Sequence, residues 1–346
     1  MPVPTNTNAN ASNQPPLTLT VIGAAGGIGQ SLSLLLKTSN YPTTRPVNVN
    51  LFDVNTTGLN GVATDLSHMN TQANVKACHS LQDAVTDADL IVIVAGVPRK
   101  PGMTRDDLFN INAGIIKNIA TNIRQYSRNL DTSLFTLLIS NPVNSLLPVL
   151  NNVLPSHAHS RCLGITNLDL IRASEFLSEL LDTQEKQNIP VIGGHSGNTI
   201  VPCFSYSKDY AKLSKDQIDS LIHRVQYGGD EVVQAKNGQG SATLSMAFAA
   251  FKVIQLLVPL VLKKIDYVEG AFYLELQNDI LGSVKLRNLL NEPELNYFAA
   301  PCKINYTGTY LIDYSIINGL NQFEKDVLLP KAIDELKGNA QKGERY

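Results

Sequence analysis

The apolar run Leu17 to Ile22 ends directly in Gly23-Ala24-Ala25-Gly26-Gly27-Ile28-Gly29, and a helical pattern follows through Leu36. A short run of apolar and β-branched residues bounded by such a turn reads as a strand buried on both faces, which belongs to a parallel sheet. Glycines let the backbone turn sharply and approach a ligand, and the next helix aims its free N-terminal amides at the same place. Gly23, Gly26, Ile28 and Gly29 are therefore candidates for holding the pyrophosphate of a dinucleotide. The spacing is GxxGxxG, one residue longer than the common fingerprint, so its meaning rests on the strand before it and the helix after it. Asp53 is the companion feature. It closes a second apolar run, Val47 to Phe52, 24 positions beyond Gly29. A carboxylate there can accept hydrogen bonds from both hydroxyls of an adenosine ribose and would repel a 2′-phosphate, so the expected cofactor is NAD and not NADP.

Strand and helix patterns go on alternating. A helix is predicted over Gly58 to Ser67, a short strand around Val75 and a helix from Leu81. The strand Leu90 to Val94, the helix Asp107 to Tyr126 and the strand Leu134 to Ile139 follow, closing on Ser140-Asn141-Pro142. Past about residue 160 the pattern changes. Helices dominate (168–181, 214–234, 241–263 and 321–340), with strand-like pieces at 189–193, 199–203, 265–276 and 302–312. The predicted class is α/β: a Rossmann-type doubly wound parallel sheet over residues 17–160, then an α+β substrate-binding and catalytic domain over 161–346. Segment 285–307 carries no motif that can be read. Residues 1–16 contain no charged side chain and are rich in Asn, Thr and Pro, which predicts a disordered tail.

Composition narrows the class of partner. With 28 basic and 30 acidic residues, charge is balanced, so neither a nucleic acid nor a membrane surface is expected. Leu244 to Leu262 is apolar enough to resemble a membrane span, but Lys252, Gln255 and Pro259 interrupt it and a buried core helix is expected. The tail lacks the apolar core of a signal peptide and the arginines of a mitochondrial presequence. The final Gly-Glu-Arg-Tyr is no peroxisomal address of the SKL type. A cytoplasmic location is expected on these grounds. Cys78, Cys162, Cys203 and Cys302 form no CxxC pair and are expected to be reduced structural thiols.

The chemistry is expected where cations and a histidine gather. Between Val94 and Gly114 the chain reads VAGVPRKPGMTRDDLFNINAG, a loop carrying Arg99, Lys100 and Arg105 among prolines and glycine. Such a loop has the character of a hinged lid that closes over an anion. In ITNLDLIRAS (165–174), Thr166 or Asn167 can cap a helix on which Asp169 and Arg172 share a face at i and i+3. In GGHSGNTIVP (193–202), His195 stands among glycines that leave it free of flanking bulk.

Taken together, GAAGGIG, AGVPRKPGMTR, NPVN, the LDLIR helix, GGHSG and GSATLSM (240–246) resemble the NAD-dependent malate dehydrogenases of the lactate/malate dehydrogenase superfamily. They recur in family order over roughly residues 17–335. The resemblance implies that His195 is the proton-transferring acid/base and that Asp169 fixes its tautomer and stabilises the imidazolium. It implies that Arg105 polarises the substrate carbonyl, that Arg172 grips the 1-carboxylate and that Arg99 takes the distal one. Asn141 and Asn112 would lie by substrate and nicotinamide, with Met246 lining the nicotinamide pocket and Val143 among the cofactor contacts. Charge counting favours malate and oxaloacetate. A monocarboxylate would leave Arg99 unpaired and desolvated, a penalty on the order of several kcal/mol. The lactate branch of the family typically carries glutamine at that position.

Two rival readings are a lactate-type 2-hydroxyacid dehydrogenase and a non-catalytic dinucleotide-binding protein. Decay of the pocket would be expected of the second, yet His195, Asp169 and all three arginines are present. The resemblance also implies a homodimer packed through helices near 58–68 and 214–234. His157 and His159 lack the Cys or carboxylate company of a metal site, so no metal is expected and they are read as a surface loop.

Overall fold

The computed structural model describes residues 14–97 and 105–346, with the side chain of Arg105 outside that set. Arg99, Lys100 and most of the predicted tail lie outside the described residues.

Six parallel strands form the first half of one sheet: β1 (Leu17–Ile22), β2 (Val47–Phe52), β3 (Ala73–Ala77), β4 (Leu90–Ile93), β5 (Phe135–Leu138) and β6 (Cys162–Gly164). Their order is β3-β2-β1-β4-β5-β6. All residues of β1, β4 and β5 are buried, as helices on both faces require. Helices α1 (Gly27–Thr38), α2 (Thr56–Ser67), α3 (Leu81–Val85), α4 (Arg105–Tyr126) and α5 (Val143–Val153) join the strands. A helical turn, α6 (Ser156–His159), precedes β6. The direction of winding reverses between β1 and β4, which opens the crevice in which a doubly wound sheet takes its ligand.

The second half extends this sheet. Helix α7 (Asn167–Leu180) leads to β7 (Val191–Gly193) and β8 (Ile200–Pro202). Helices α8 (Lys215–Ala235) and α9 (Leu244–Val261) follow, then β9 (Tyr267–Glu275), α10 (Ser283–Leu289), β10 (Tyr297–Asn305), β11 (Gly308–Ile312) and α11 (Leu329–Glu344). An antiparallel pairing of Gly164 with Tyr273 joins β6 to β9, and the order continues β9-β10-β7-β8, with β11 on β10. The strand-like pieces of the second half thus belong to the sheet that begins the fold.

Several expectations are corrected. The piece 302–312 is the second half of a hairpin, because β10 starts at Tyr297 and turns at Tyr306-Thr307 into β11. Segment 285–307, silent as sequence, supplies α10 and β10; β10 pairs along its whole length with β9. The last helix runs beyond 340 to Glu344, after a π-helical stretch at Glu324–Leu328. Helix α9 has a mean hydropathy of 2.0 but is only half buried: Val253, Ile254 and Leu257 face inward while Leu244, Phe248, Lys252 and Gln255 face out. His157 and His159 sit on the helical turn α6 and not on a loop. His159 is largely buried, its Nδ1 2.6 Å from Glu275 Oε2 and its Nε2 3.0 Å from the Leu154 carbonyl.

All four cysteines are unpaired and buried. Burial pushes the Cys162 and Cys302 thiols up to about 12 and holds Cys203 well above its ordinary value.

Candidate active site

The glycine turn is built from backbone alone. Gly23 has φ +99°, and a Cβ there would lie 2.6 Å from the Ala95 amide nitrogen at the end of β4; a Cβ on Gly29 would lie 2.2 Å from the Gly23 carbonyl oxygen. Neither position tolerates a side chain. Helix α1 begins with no side-chain cap at Gly26 and no acid in its first turn, so its amides are open to an anion. Ile28 packs partly buried against the core. Asp53 faces the turn: one carboxylate oxygen accepts the Ala25 N–H at 2.9 Å and the other the Asn55 N–H at 2.9 Å. Each oxygen keeps acceptor capacity for a hydroxyl. A cradle that excludes Cβ atoms, an uncapped helix start and a carboxylate beside them fit NAD.

On the far side of the crevice, Thr166 stands at the N-cap of α7, where it or Asn167 is expected to cap the helix. No side-chain cap hydrogen bond forms: Thr166 Oγ1 and Asn167 Oδ1 are both buried without a partner among the described residues. The first turn is complemented by Asp169, which is fully buried. Its Oδ2 lies 2.5 Å from His195 Nδ1 and its Oδ1 3.5 Å from Arg172 Nη1. His195 and Arg172 each keep 12% of their side-chain surface. One sealed carboxylate thus orients two groups that still reach the crevice. With Nδ1 occupied, Nε2 is left to exchange a proton.

Sequence reasoning missed the residues that hold this pair in place. Asn144, buried at the start of α5, accepts the His195 N–H through Oδ1 at 2.9 Å. It donates through Nδ2 to Ser196 Oγ and Thr199 Oγ1, while its own carbonyl accepts the Tyr273 hydroxyl at 3.0 Å. It is the last letter of NPVN, a motif that signalled Asn141 and Val143 but hid this role. Gly228, in the middle of α8, lets Arg172 pass: a Cβ there would lie 3.1 Å from Arg172 Cδ and Nε. Two glycines inside a helix, each costing about 1 kcal/mol against alanine, were the available signal.

The remaining candidates come from several elements. Asn112 on α4 accepts the Val97 N–H at 2.9 Å and donates to the Asn141 carbonyl at 2.7 Å. Asn141 is exposed and precedes Pro142 through a cis peptide bond. Val143 is buried against Gly164. Met246 is buried in the first turn of α9, whose preceding residue, Thr243, reaches within 2.9 Å of where a Gly27 Cβ would stand. The second half therefore touches the glycine turn directly. The side chains of Arg99 and Arg105 lie outside the described residues; Arg105 starts α4.

Comparison with known proteins places the chain in a family. Residues 17–162 match the family described as lactate/malate dehydrogenase, NAD binding domain, and residues 166–346 match lactate/malate dehydrogenase, alpha/beta C-terminal domain. The chain belongs to the lactate/malate dehydrogenase family: it is an oxidoreductase that uses NAD. It is 45% identical to the cytoplasmic malate dehydrogenase of Saccharomyces cerevisiae, covering 95% of this chain and 94% of that one. It is 41% identical to the mitochondrial malate dehydrogenase of the same yeast (96% and 94% covered) and 39% identical to peroxisomal malate dehydrogenase 2 of Arabidopsis thaliana (99% and 90%). Among solved structures, the fold superposes on apo malate dehydrogenase from Picrophilus torridus with a TM-score of 0.77 at 23% identity, covering 95% and 98%. A lactate dehydrogenase from a deep-sea metagenome gives 0.74 at 22% identity, covering 96% and 100%. The fold is thus common to enzymes named for either substrate.

Proposed function

We propose that this chain interconverts (S)-malate and oxaloacetate, with residues 17–160 holding NAD and residues 161–346 supplying most of the substrate pocket. The observation that carries the reading is the buried Asp169 carboxylate on Nδ1 of His195. Nε2 then takes the substrate hydroxyl proton in oxidation and returns it in reduction, and Asp169 stabilises the imidazolium in between. NAD, when bound, accepts the hydride from C2 of malate. Arg172 grips the 1-carboxylate with two parallel N–H donors, Arg105 stabilises negative charge growing on the reacting oxygen, and Arg99 pairs with the distal carboxylate. Asn141 contacts substrate, while Asn112, Val143 and Met246 border the nicotinamide; Gly23, Gly26, Ile28, Gly29 and Asp53 hold the rest of the dinucleotide.

The choice of malate over lactate is supported by the number of arginines and by relatives named malate dehydrogenase. NADH oxidation measured with oxaloacetate and with pyruvate tests it. Oxaloacetate should be preferred by orders of magnitude, and Arg99→Gln should narrow that preference; a native enzyme that turns over pyruvate as well would sink the reading. A cytoplasmic location is supported by the name of the 45% identical relative, and fluorescent tagging in cells checks it. A homodimer joined through α2 and α8 completes the proposal; sedimentation at micromolar concentration should give twice the subunit mass.

A further inference from the structure

Helix α11 packs against elements of the site at its middle and at its C-terminal end. In its middle, Leu336 Cδ2 lies 2.7 Å from where a Cβ on Gly194 would stand, and Glu335 Oε1 accepts from Asn198 Nδ2 at 2.7 Å; Gly194 and Asn198 flank His195. Near its end, Gly343 packs so closely on α5 that a Cβ would lie 2.0 Å from the Ser145 carbonyl oxygen, and Asn152 donates to the carbonyls of Gly343 and Glu344. On either side of that anchor the chain reaches α4. Lys342 pairs with Asp106, and its Nζ also stands 4.5 Å from the centre of the buried Phe109 ring. Tyr346 meets Phe109 edge to face, with centroids 5.7 Å apart and planes at 86°. Lys117 donates to the Tyr346 backbone oxygen at 3.2 Å and lies 5.2 Å over its ring.

We propose that Lys342 and Tyr346 are positioning residues for the substrate end of the site. They clamp the first turns of α4 to the helix that also buttresses the His195 loop. Surface ion pairs alone contribute little. Here the ammonium is shared between a carboxylate and an aromatic ring, and a second ring packs edge to face with the first, so the contacts act as a unit. What they fix is the distance between two groups on different elements: His195, held by Asn144 on α5, and Asn112, which ties Val97 and Asn141 together. Arg105, the first residue of α4, is set by the same turns. Near-attack geometry is sensitive to such spacing, because small displacements of a catalytic group lower the rate steeply. The inference rests on the substrate reading given above for Arg105 and for Asn141, whose carbonyl Asn112 holds.

The test is steady-state kinetics of oxaloacetate reduction together with NADH binding by cofactor fluorescence. Tyr346→Ala should lower kcat/KM for oxaloacetate roughly 10-fold, with the NADH dissociation constant within about twofold of native. Tyr346→Phe, which keeps the ring, should restore kcat/KM to within about twofold. Lys342→Met, at a partly exposed position, should cause a several-fold loss. Native kcat/KM in Tyr346→Ala overturns the clamp, and so does an equal loss in the Phe variant or a matching loss of NADH affinity. If Tyr346→Ala does not fold, native kcat/KM in Lys342→Met overturns it alone. Failure of the substrate reading looks different: the native enzyme itself would not reduce oxaloacetate.

Discussion

The two walls of the crevice are made in opposite ways. The cofactor wall is local: Gly23 to Gly29 are contiguous, their chemistry is main-chain amide, and the one side chain they need, Asp53, arrives on the neighbouring strand β2. The wall that carries His195 is assembled. His195 follows β7, Asp169 and Arg172 stand on α7, and Asn144, which fixes the histidine backbone, comes from α5. A wall built from amides is ruined by adding atoms, because nothing there can be removed except space. A wall built from side chains is ruined by removing them. The same sheet carries both, so damage to one need not reach the other.

That contrast can be broken most forcefully at His195. His195→Asn keeps a polar side chain but no proton-transfer group, and kcat should fall roughly 10³- to 10⁴-fold. NADH affinity, measured by fluorescence titration, should stay near the native value. A variant that kept its turnover would end the acid/base assignment, and one that lost cofactor binding would mean the walls are not independent.

The complementary change is Gly29→Ala. The added methyl would stand 2.2 Å from the Gly23 carbonyl, so the turn must shift. Overpacking of this kind costs about 1–3 kcal/mol of stability, and the dissociation constant for NADH should rise at least about 10-fold. Calorimetry with and without cofactor reads both effects. An unchanged affinity would show that the turn does not approach the dinucleotide.

The smallest effect comes from neither wall. Both nitrogens of His159 face acceptors, Glu275 and the Leu154 carbonyl, so the doubly protonated ring satisfies the site best. Burial alone pulls the proton affinity of this ring down. The Glu275 carboxylate, with the carbonyls of Leu154 and Asn151, more than offsets it, and the pKa is raised above 6.5. The folded protein therefore binds this proton more tightly than the unfolded chain. The stabilisation is whole below about pH 6.5 and is lost as pH rises through the folded value. The melting temperature should decline between about pH 6 and pH 9 in the native protein and decline less in His159→Gln. Equal slopes would remove the imidazolium from the account of stability.

How much of this was visible in the sequence follows the same division. The strand, turn and helix around Gly23 to Gly29 announced themselves because each obeys a short-range rule, and so did Asp53 at the end of β2. His195, Asp169 and Arg172 were legible one by one, while their meeting needed the resemblance to a family. Asn144 and Gly228 were not read, since one supports a backbone and the other only makes room, and neither leaves a chemical signature. The hairpin of β10 and β11 was half seen. β10 is buried along most of its length among β9, β7 and β11, and a strand of that kind carries no polar alternation to mark its start.

The four sealed cysteines have a practical consequence. With sulfur atoms kept protonated and screened by the interior, the native enzyme should shrug off alkylating agents and mild peroxide. Modification must wait for the interior to open. The rate at which label accumulates would therefore time the breathing of the sheet in a working enzyme, with no engineered reporter.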